Sequence, residues 1–215
     1  MDTNQKLESL RVHYRMANLD ISDCDAKPEK QFDKWLNDAI TSHCDEPNAF
    51  VLSTVNNGRP RGRVVLLKGI HDGKFIFYTN YQSAKGHEID SNPHVALTFL
   101  WLPLQRQVRI EGTIQKADLS LSDEYFKKRP RGNQLGAMAS PQSKKISSRE
   151  ALEALFKTTD EKYHGVDELT RPAHWGGYSV SPEYFEFWQG RDNRMHDRII
   201  YEKIANNWEL NRLAP

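Results

Sequence analysis

The spacing of apolar residues changes from a helical to a strand period along this chain. Segments 4–16 and 28–43 have the helical period, and Pro28 suits the first turn of the second segment. The apolar residues at helical spacing in that segment are Phe32, Trp35, Leu36 and Ile40. From residue 50 onward the apolar residues fall instead into short runs rich in valine, isoleucine, threonine and aromatic residues. Such runs predict strands, here over residues 50–55, 63–70, 74–79, 95–102 and 107–116.

Tight turns join the predicted strands. Asn56-Asn57-Gly58 and Asp72-Gly73 have the composition of hairpin turns, which connect antiparallel neighbours, so we expect an antiparallel sheet that closes into a barrel. Helices are predicted next over residues 120–128, 133–139 and 148–162, and strands over 178–180, 184–188, 198–204 and 208–213. Because the last strands are too short to bury a core alone, all strands are expected to share one sheet in a single domain, residues 1–215.

The charge balance argues against a nucleic-acid binder. The 215 residues contain 30 Lys+Arg and 29 Asp+Glu, a formal net charge of +1, whereas nucleic-acid-binding domains usually carry a clear basic excess. Cys24 and Cys44 are too few for a disulfide framework, and with the eight histidines scattered we predict no metal. The cysteine usage indicates a reduced, cytoplasmic compartment, and no apolar run approaches the ~18 residues of a membrane span.

Four segments combine basic residues with aromatic or polar side chains: 61–68, 77–86, 125–145 and 187–198. Each also has a purely structural interpretation, such as a charged strand edge, a helix cap or the basic end of a helix. The chain contains no G-x-G-x-x-G, Walker, H-E-x-x-H, C-x-x-C or G-x-S-x-G pattern. Basic clusters beside aromatic residues therefore favour a binder of phosphorylated planar molecules whose chemistry comes from a cofactor.

In two of these segments, the sequence allows more than one arrangement of the cations on the faces of the strand. Arg63 and Lys68 differ by five positions, so a regular strand would place them on opposite faces unless a bulge or strand end brings them together. If segment 187–198 is extended, one side of it carries Arg194, His196 and Arg198. Asp192 and Asp197 would neutralise these groups in the purely structural interpretation, and the alternative is a site for an aromatic anion.

The clusters, taken in order, resemble the pyridoxine/pyridoxamine 5′-phosphate oxidase family over nearly the whole chain. The matching stretches are R-V-V-L-L-K (63–68), F-Y-T-N (77–80), R-Q-V-R-I-E-G (106–112), Y-F-K-K-R-P-R (125–131), Q-S (142–143), W-G-G-Y (175–178), E-F-W-Q-G (186–190), R-M-H-D-R (194–198) and N-R-L-A-P (211–215). Each stretch alone is weak evidence, but their joint occurrence is specific.

The resemblance implies a mainly β protein with flanking helices, an antiparallel split β-barrel that binds FMN at a homodimer interface. Both subunits would contribute to each active site. The implied reaction oxidises pyridoxamine 5′-phosphate or pyridoxine 5′-phosphate to pyridoxal 5′-phosphate, with O2 reduced to H2O2. This is an oxidoreductase activity of vitamin B6 biosynthesis and salvage, with no nucleic-acid or membrane partner.

The resemblance also implies the residues of the site. The FMN contacts would be Arg63, Val64, Leu66, Lys68, Tyr78, Thr79, Lys85, Gln107, Gln142, Ser143, Trp188 and Arg198. The substrate contacts would be Arg11, Tyr14, Lys68, Tyr125, Arg129, Asn133, Arg194 and His196. Arg194 would orient the substrate and His196 would assist by hydrogen bonding or proton transfer, as the catalytic pair. A helical lid, about residues 1–45, would carry Arg11 and Tyr14 and exclude water.

Two positions depart from the family pattern. Ala84 stands where the family commonly has arginine, and Asn133 stands where a serine commonly completes the substrate-phosphate pocket. Losing one charge-assisted contact costs about 1.5–3 kcal/mol, roughly ten- to a hundredfold in affinity. We therefore expect weaker retention of FMN than in members with that arginine, unless Arg61 or Lys74 substitutes.

Two alternative functions fit the sequence less well. A split-barrel carrier of FMN or haem without oxidase turnover would not need the R-M-H-D-R segment, 194–198, or Arg129. An RNA-binding barrel would need an aromatic RNP-type pattern and a net positive charge, both of which the sequence lacks.

Overall fold

The computed structural model describes residues 2–10 and 13–215, which form mainly antiparallel strands with flanking helices. The helices of this part are α1 Thr3–Ser9, α2 Pro28–Thr41, α3 Ala84–Ser91, α4 Leu119–Lys128, α5 Arg131–Ala139 and α6 Arg149–Lys162. The strands are β1 Ala49–Asn56, β2 Arg59–Leu66, β3 Gly69–His71, β4 Lys74–Asn80, β5 His94–Trp101, β6 Arg106–Lys116, β7 Trp175–Gln189, β8 Asp197–Ile204 and β9 Asn207–Leu213. The predicted fold class is confirmed.

The strands belong to one sheet, as predicted, but the sheet does not close into a barrel. Its order is β2-β1-β5-β6-β7-β4-β3, with β8 paired to β7 and β9. Among the described residues, β2 and β3 therefore lie at the two ends of an open path, and the prediction of a closed barrel is wrong. Strand β3 has only three residues, and β2 is mostly exposed and carries Arg59 and Arg61, charges that protect an edge from further pairing.

The hairpin turns form where the sequence predicts them. β1 pairs with β2 from Ala49↔Leu66 to Asn56↔Arg59, and β3 pairs with β4. Asn57 and Gly58 between β1 and β2 both have positive φ angles, of 50° and 74°. This conformation matches the right-handed twist of the strands and is accessible to asparagine and glycine.

The chain is divided into two compact units. Unit 1 comprises Met1–Pro47, Thr98–Ile110 and Tyr184–Pro215, and unit 2 comprises Asn48–Leu97 and Glu111–Glu183. The single domain over residues 1–215 stays a prediction. No helix in the described part is both long enough and apolar enough to span a membrane, and that part contains no group of histidine, cysteine or acidic residues suited to a metal ion.

Aromatic side chains build the core of each unit. In unit 1, helix α2 buries Phe32 and Trp35, and the Trp35 ring lies 5.2 Å from the ring of Phe187, edge to face. Ile40, expected on the same buried face, is 52% exposed because Ala39 takes the buried position. In unit 2, the rings of Phe50 and Phe77 lie 5.9 Å apart.

The bounds of several elements differ from the predicted ones, most clearly in the first helix and in two regions of the sheet. The first helix was expected to reach residue 16 but ends at Ser9, because it buries no residue and Leu10 is extended. The strand predicted over residues 63–70 is broken between Leu66 and Gly69. In contrast, the strands predicted over 178–180 and 184–188 are one continuous strand, β7, since Pro182 does not interrupt it.

We predict that Gly86→Ala destabilises the protein. A Cβ atom at Gly86 would overlap the backbone carbonyl of Tyr81, and backbone cannot move aside as a flexible side chain does. Overpacking of this kind costs about 1–3 kcal/mol. Gly132→Ala is the control, since a Cβ there meets nothing within 4 Å. Urea unfolding of both variants tests this, and equal midpoints would contradict it.

Candidate functional site

In unit 2, the Lys85 ammonium group is surrounded by neutral oxygen atoms. Its Nζ donates to Thr79 Oγ1 at 3.2 Å, to Gln142 Oε1 at 3.1 Å and to Ser83 Oγ at 3.4 Å. Ser83 also caps helix α3 by accepting from the backbone N–H of Gly86. Burial, and then the nearby Arg63, lower the pKa of Lys85. In the described chain no carboxylate lies within 4.0 Å of this cation, so the arrangement favours binding of an anion.

Arg63 has a different environment from Lys85. Its Nη1 donates to Leu52 O at 3.1 Å and to Thr54 Oγ1 at 2.6 Å, and its Nη2 donates to Glu88 Oε2 at 2.6 Å. The Arg63 side chain is 21% exposed and that of Glu88 is 5% exposed, so this is a largely buried ion pair. These contacts with buried groups therefore fix the position of the guanidinium group.

The strand that carries Arg63 ends at Leu66, before Lys68. Lys68 lies in the break, exposed, with its backbone N–H bonded to Ile76 O at 2.8 Å. The end of strand β2, and not a bulge, therefore interrupts the alternation of side chains between the two faces of the sheet. Other predicted FMN contacts are distributed as follows: Val64 and Leu66 on β2, Gln107 on β6, and Ser143, exposed, in the loop after α5.

A cavity of about 340 Å³ in unit 2 contains several of the predicted residues. Its lining includes Tyr78, Thr79, Arg129, Asn133, Gln142 and Trp175. The rings of Tyr78 and Tyr125 stack in parallel with their centroids 4.0 Å apart. The structure thus brings predicted FMN and substrate contacts to one cavity.

Arg129 is a second cation without a carboxylate partner in the described chain. Its guanidinium carbon lies 4.6 Å from the centroid of the Trp175 ring, and its Nη2 donates to the backbone oxygen of Asn133 at 3.0 Å. The buried Nε of Arg129 has no hydrogen-bond partner, and burial lowers the pKa of this residue. Trp175 was not predicted as a site residue, although its W-G-G-Y motif was a signal for it. The environment is suited to an incoming anion.

In unit 1, His196 packs in an aromatic cluster. Its ring lies 4.6 Å from the Trp188 ring and 5.5 Å from the Tyr14 ring. The backbone N–H of Arg191 donates to His196 Nδ1 at 3.0 Å, so the neutral ring carries its proton on Nε2. Burial, and then the charge of Arg194, lower the pKa of His196. The lowered pKa favours the neutral ring, whose Nε2–H is available as a donor.

Arg194 and His196 do not lie on an extended segment, so the condition under which they would share one side with Arg198 is not met. Residues Asp192–Arg194 form a short turn in which Asn193 and Arg194 have φ angles of 55° and 60°. This left-handed backbone is strained for arginine, and such strain is concentrated at functional sites. Arg194 is exposed.

The acidic residues of this segment pair with other arginines than predicted. Asp192 accepts from Arg15 at 2.6 Å, and Asp197 bonds Arg191 at 3.2 Å and Arg212 at 2.8 Å. Arg198 on β8 pairs instead with Glu186 at 2.8 Å. In the described part of the chain Arg194 has no ion-pair partner, so its charge remains available.

Tyr14 lies outside helix α1, on which it was predicted, and packs against β7. A side chain at Gly190 would overlap the Tyr14 ring, which gives the glycine of the W-Q-G motif a steric reason. The segment is held by Gln105, whose side chain bonds the backbone of His13 at 2.9 Å and of Met16 at 3.2 Å. Arg11, the other predicted lid residue, lies outside the described residues.

Comparisons with known proteins agree with this geometry. A family model described as pyridoxamine 5′-phosphate oxidase matches residues 36–163, and one described as the pyridoxine 5′-phosphate oxidase C-terminal dimerisation region matches residues 175–215. A pyridoxine/pyridoxamine 5′-phosphate oxidase from Salinibacter ruber is 50% identical over 98% of this chain and 99% of the relative. The oxidase of that name from Bacteroides thetaiotaomicron is 47% identical over 98% of this chain and 100% of the relative.

Two solved structures are similar over most of the chain. PhzG from Burkholderia lata, in complex with tetrahydrophenazine-1-carboxylic acid, has a TM-score of 0.84 and 30% identity over 90% of this chain and 95% of that chain. A pyridoxamine 5′-phosphate oxidase-related, FMN-binding protein from Nostoc punctiforme has a TM-score of 0.72 and 17% identity over 89% of this chain and 100% of that chain. At this low identity, the second likeness shows the fold alone.

We predict that Arg194→Gln raises the pKa of His196. Removing a neighbouring positive charge favours protonation of the imidazole, but burial, the larger cause, keeps the pKa below 6.5. NMR titration of the His196 ring, assigned with His196→Gln, measures it, and the exposed Arg59→Gln is the control. An unchanged midpoint would refute the charge coupling.

The pKa of His196 is lower in the folded state than its ordinary value of 6.5. Neutral His196 therefore contributes to the free energy of unfolding above pH 6.5, and this contribution is lost as the pH falls from 6.5 through the lowered pKa.

Proposed function

The chain belongs to the pyridoxamine 5′-phosphate oxidase family, and we propose that it oxidises pyridoxamine 5′-phosphate and pyridoxine 5′-phosphate to pyridoxal 5′-phosphate with FMN as cofactor. Relatives that bear the oxidase name are 46–50% identical over nearly the whole chain. We further propose O2 as the final electron acceptor, with H2O2 as its product. The observation that carries the proposal is a pair of partly buried cations with no carboxylate within 4.0 Å in the described chain. Arg129 lines the cavity of unit 2, and Lys85 donates to Thr79 and Gln142, which line the same cavity.

The residues present fit a flavin phosphate near Lys85. A partly buried ammonium group with only neutral acceptors gains more from an incoming phosphate than one already paired with a carboxylate. Arg63 and Thr79 would complete this anion site, together with the ring-edge contacts proposed for Lys68 and Gln107. The remaining proposed FMN contacts are Val64, Leu66, Tyr78, Gln142, Ser143, Trp188 and Arg198.

Arg129 is proposed to bind the substrate phosphate. Its Nε is buried without a partner, so a phosphate oxygen would satisfy a donor that is otherwise unpaired. Tyr125 and Lys68 would contribute a hydroxyl group and a second cation. The Asn133 amide would replace the hydroxyl group of the serine common in the family.

Arg194 and His196 are proposed to act on the substrate ring. When bound, FMN supplies the hydride acceptor for the oxidation at C4′ of the substrate. Arg194, which has no ion-pair partner in the described chain, would orient the substrate. His196 would donate a hydrogen bond from Nε2, because its Nδ1 is occupied by the backbone of Arg191. Tyr14, whose ring packs on the His196 ring, is proposed as a lid residue with Arg11 and would help to exclude water.

A homodimer with shared active sites is proposed for the assembly. Residues 175–215 match a family model described as a dimerisation region, and these residues include Trp188, Arg194, His196 and Arg198. Dimerisation through this region would therefore involve the same stretch of chain that carries the proposed catalytic pair.

We predict that the purified protein loaded with FMN forms pyridoxal 5′-phosphate and H2O2 from pyridoxamine 5′-phosphate. Arg194→Ala should lower kcat by about a hundredfold, because a misplaced substrate loses that much rate. Absorbance of the product and a coupled peroxide assay measure both variants, with Arg59→Ala as a matched exposed control. Flavin binding without peroxide would instead indicate a carrier, and wild-type kcat in Arg194→Ala would refute the role of Arg194.

We predict that Ala84→Arg tightens FMN binding by about tenfold or more, the value of one charge-assisted contact. Ala84 is exposed at the first position of α3, next to Lys85, so the new guanidinium group can reach the proposed phosphate site without a core rearrangement. Quenching of flavin fluorescence by the apoprotein gives the Kd. The matched control is Gln82→Arg, which adds the same charge before the helix at an exposed position. No gain in affinity for Ala84→Arg would contradict this prediction.

A further inference from the structure

A buried carboxylate lies behind the proposed flavin-phosphate site. Glu88 on helix α3 is 5% exposed, and its Oε2 accepts from Arg63 Nη2 at 2.6 Å and from the Thr54 hydroxyl group at 2.5 Å. The same Thr54 oxygen accepts from Arg63 Nη1 at 2.6 Å. Glu88, Thr54 and Arg63 thus form a closed network that joins α3 to β1 and β2.

This network makes the two cations of the anion site unequal. Arg63 is paired with a carboxylate, whereas Lys85 contacts only the neutral oxygens of Thr79, Ser83 and Gln142. In the described chain Lys85 has no carboxylate within 4.0 Å and Glu88 acts on its charge only at longer range, whereas Arg63 is paired directly with Glu88 before any ligand arrives. Ala84 adds no third cation at this position.

We propose that Glu88 is a specificity-determining residue that sets how tightly the flavin phosphate is held. The proposal rests on the proposed function, since it takes FMN as the ligand. In the cofactor-free protein Glu88 stabilises the partly buried Arg63. When the phosphate binds, Glu88 is a second anion near the same guanidinium group and opposes it, because charges interact strongly where water is excluded. Glu88 thus favours the stability of the apoprotein at the expense of phosphate affinity.

Glu88→Gln tests the proposal because it removes the charge and keeps an oxygen that accepts from Arg63 and Thr54. Binding of FMN and of riboflavin, which lacks the phosphate, is measured on the apoprotein by fluorescence quenching. We expect FMN to bind about tenfold more tightly, equivalent to about 1.4 kcal/mol, with the Kd of riboflavin unchanged. The melting temperature of the apoprotein should fall, while the rise in melting temperature on adding FMN should increase.

Asp90→Asn is the matched control, because it removes one negative charge from the same helix at an exposed position. An equal gain in FMN affinity in this variant would overturn the proposal, since it would show an effect of overall charge. An unchanged or lower preference for FMN over riboflavin in Glu88→Gln would also overturn it. Glu88→Met, neutral and of similar length, provides the same comparison where Glu88→Gln does not fold.

The same titration separates the inference from the proposed function. If the wild-type apoprotein binds FMN in preference to riboflavin but Glu88→Gln does not increase that preference, only the role of Glu88 fails. If the wild-type apoprotein does not bind FMN, the proposed cofactor and the role of Glu88 both fail.

Discussion

A cation that is taken out of water needs a compensating partner, and the candidate site is organised by how three cations meet this requirement. Arg63 has a carboxylate, Lys85 has three neutral oxygens, and Arg129 has the face of an indole ring and one carbonyl oxygen. The first arrangement is complete without a ligand. The other two have no carboxylate within 4.0 Å in the described chain, which makes them the places where a phosphate gains most.

In unit 2, the start of helix α3 and its packing position the Lys85 cation. The Ser83 cap starts helix α3 directly after β4, so that Lys85 faces Thr79 at the end of that strand. Gly86 permits the close approach of the helix to the backbone of Tyr81, which any larger residue would prevent. The position of the Lys85 cation therefore depends on backbone contacts as much as on charge.

The corresponding constraint in unit 1 is steric. Gly190 leaves room for the Tyr14 ring, and the ring in turn packs edge-on to His196. The left-handed turn at Asn193 and Arg194 allows the Arg191 N–H to reach His196 Nδ1. Together these features select one tautomer of the histidine and present its Nε2–H, so that the tautomer follows from the backbone path.

Much of this could be predicted from the sequence where the signal is local. The Asn57-Gly58 turn and the apolar runs of β1 and β4 each depend on a few neighbouring residues, and each forms as predicted. The basic and aromatic clusters contain the residues that line the cavity of unit 2 apart from Trp175. The family resemblance followed from the order of these motifs along the chain, which needs no knowledge of contacts.

Only the tertiary structure decided which partner each charged group has. Asp192 and Asp197, expected beside Arg194, pair with Arg15, Arg191 and Arg212, and Glu88 pairs with Arg63 across 25 positions of sequence. The open path of the sheet and the end of helix α1 at Ser9 likewise depend on which segments of the chain are buried against each other. The sequence by itself determined the elements and the chemical groups, because these depend on short-range periodicity and residue type. The compensation of each charge depends on distances between remote segments, and no local pattern encodes those.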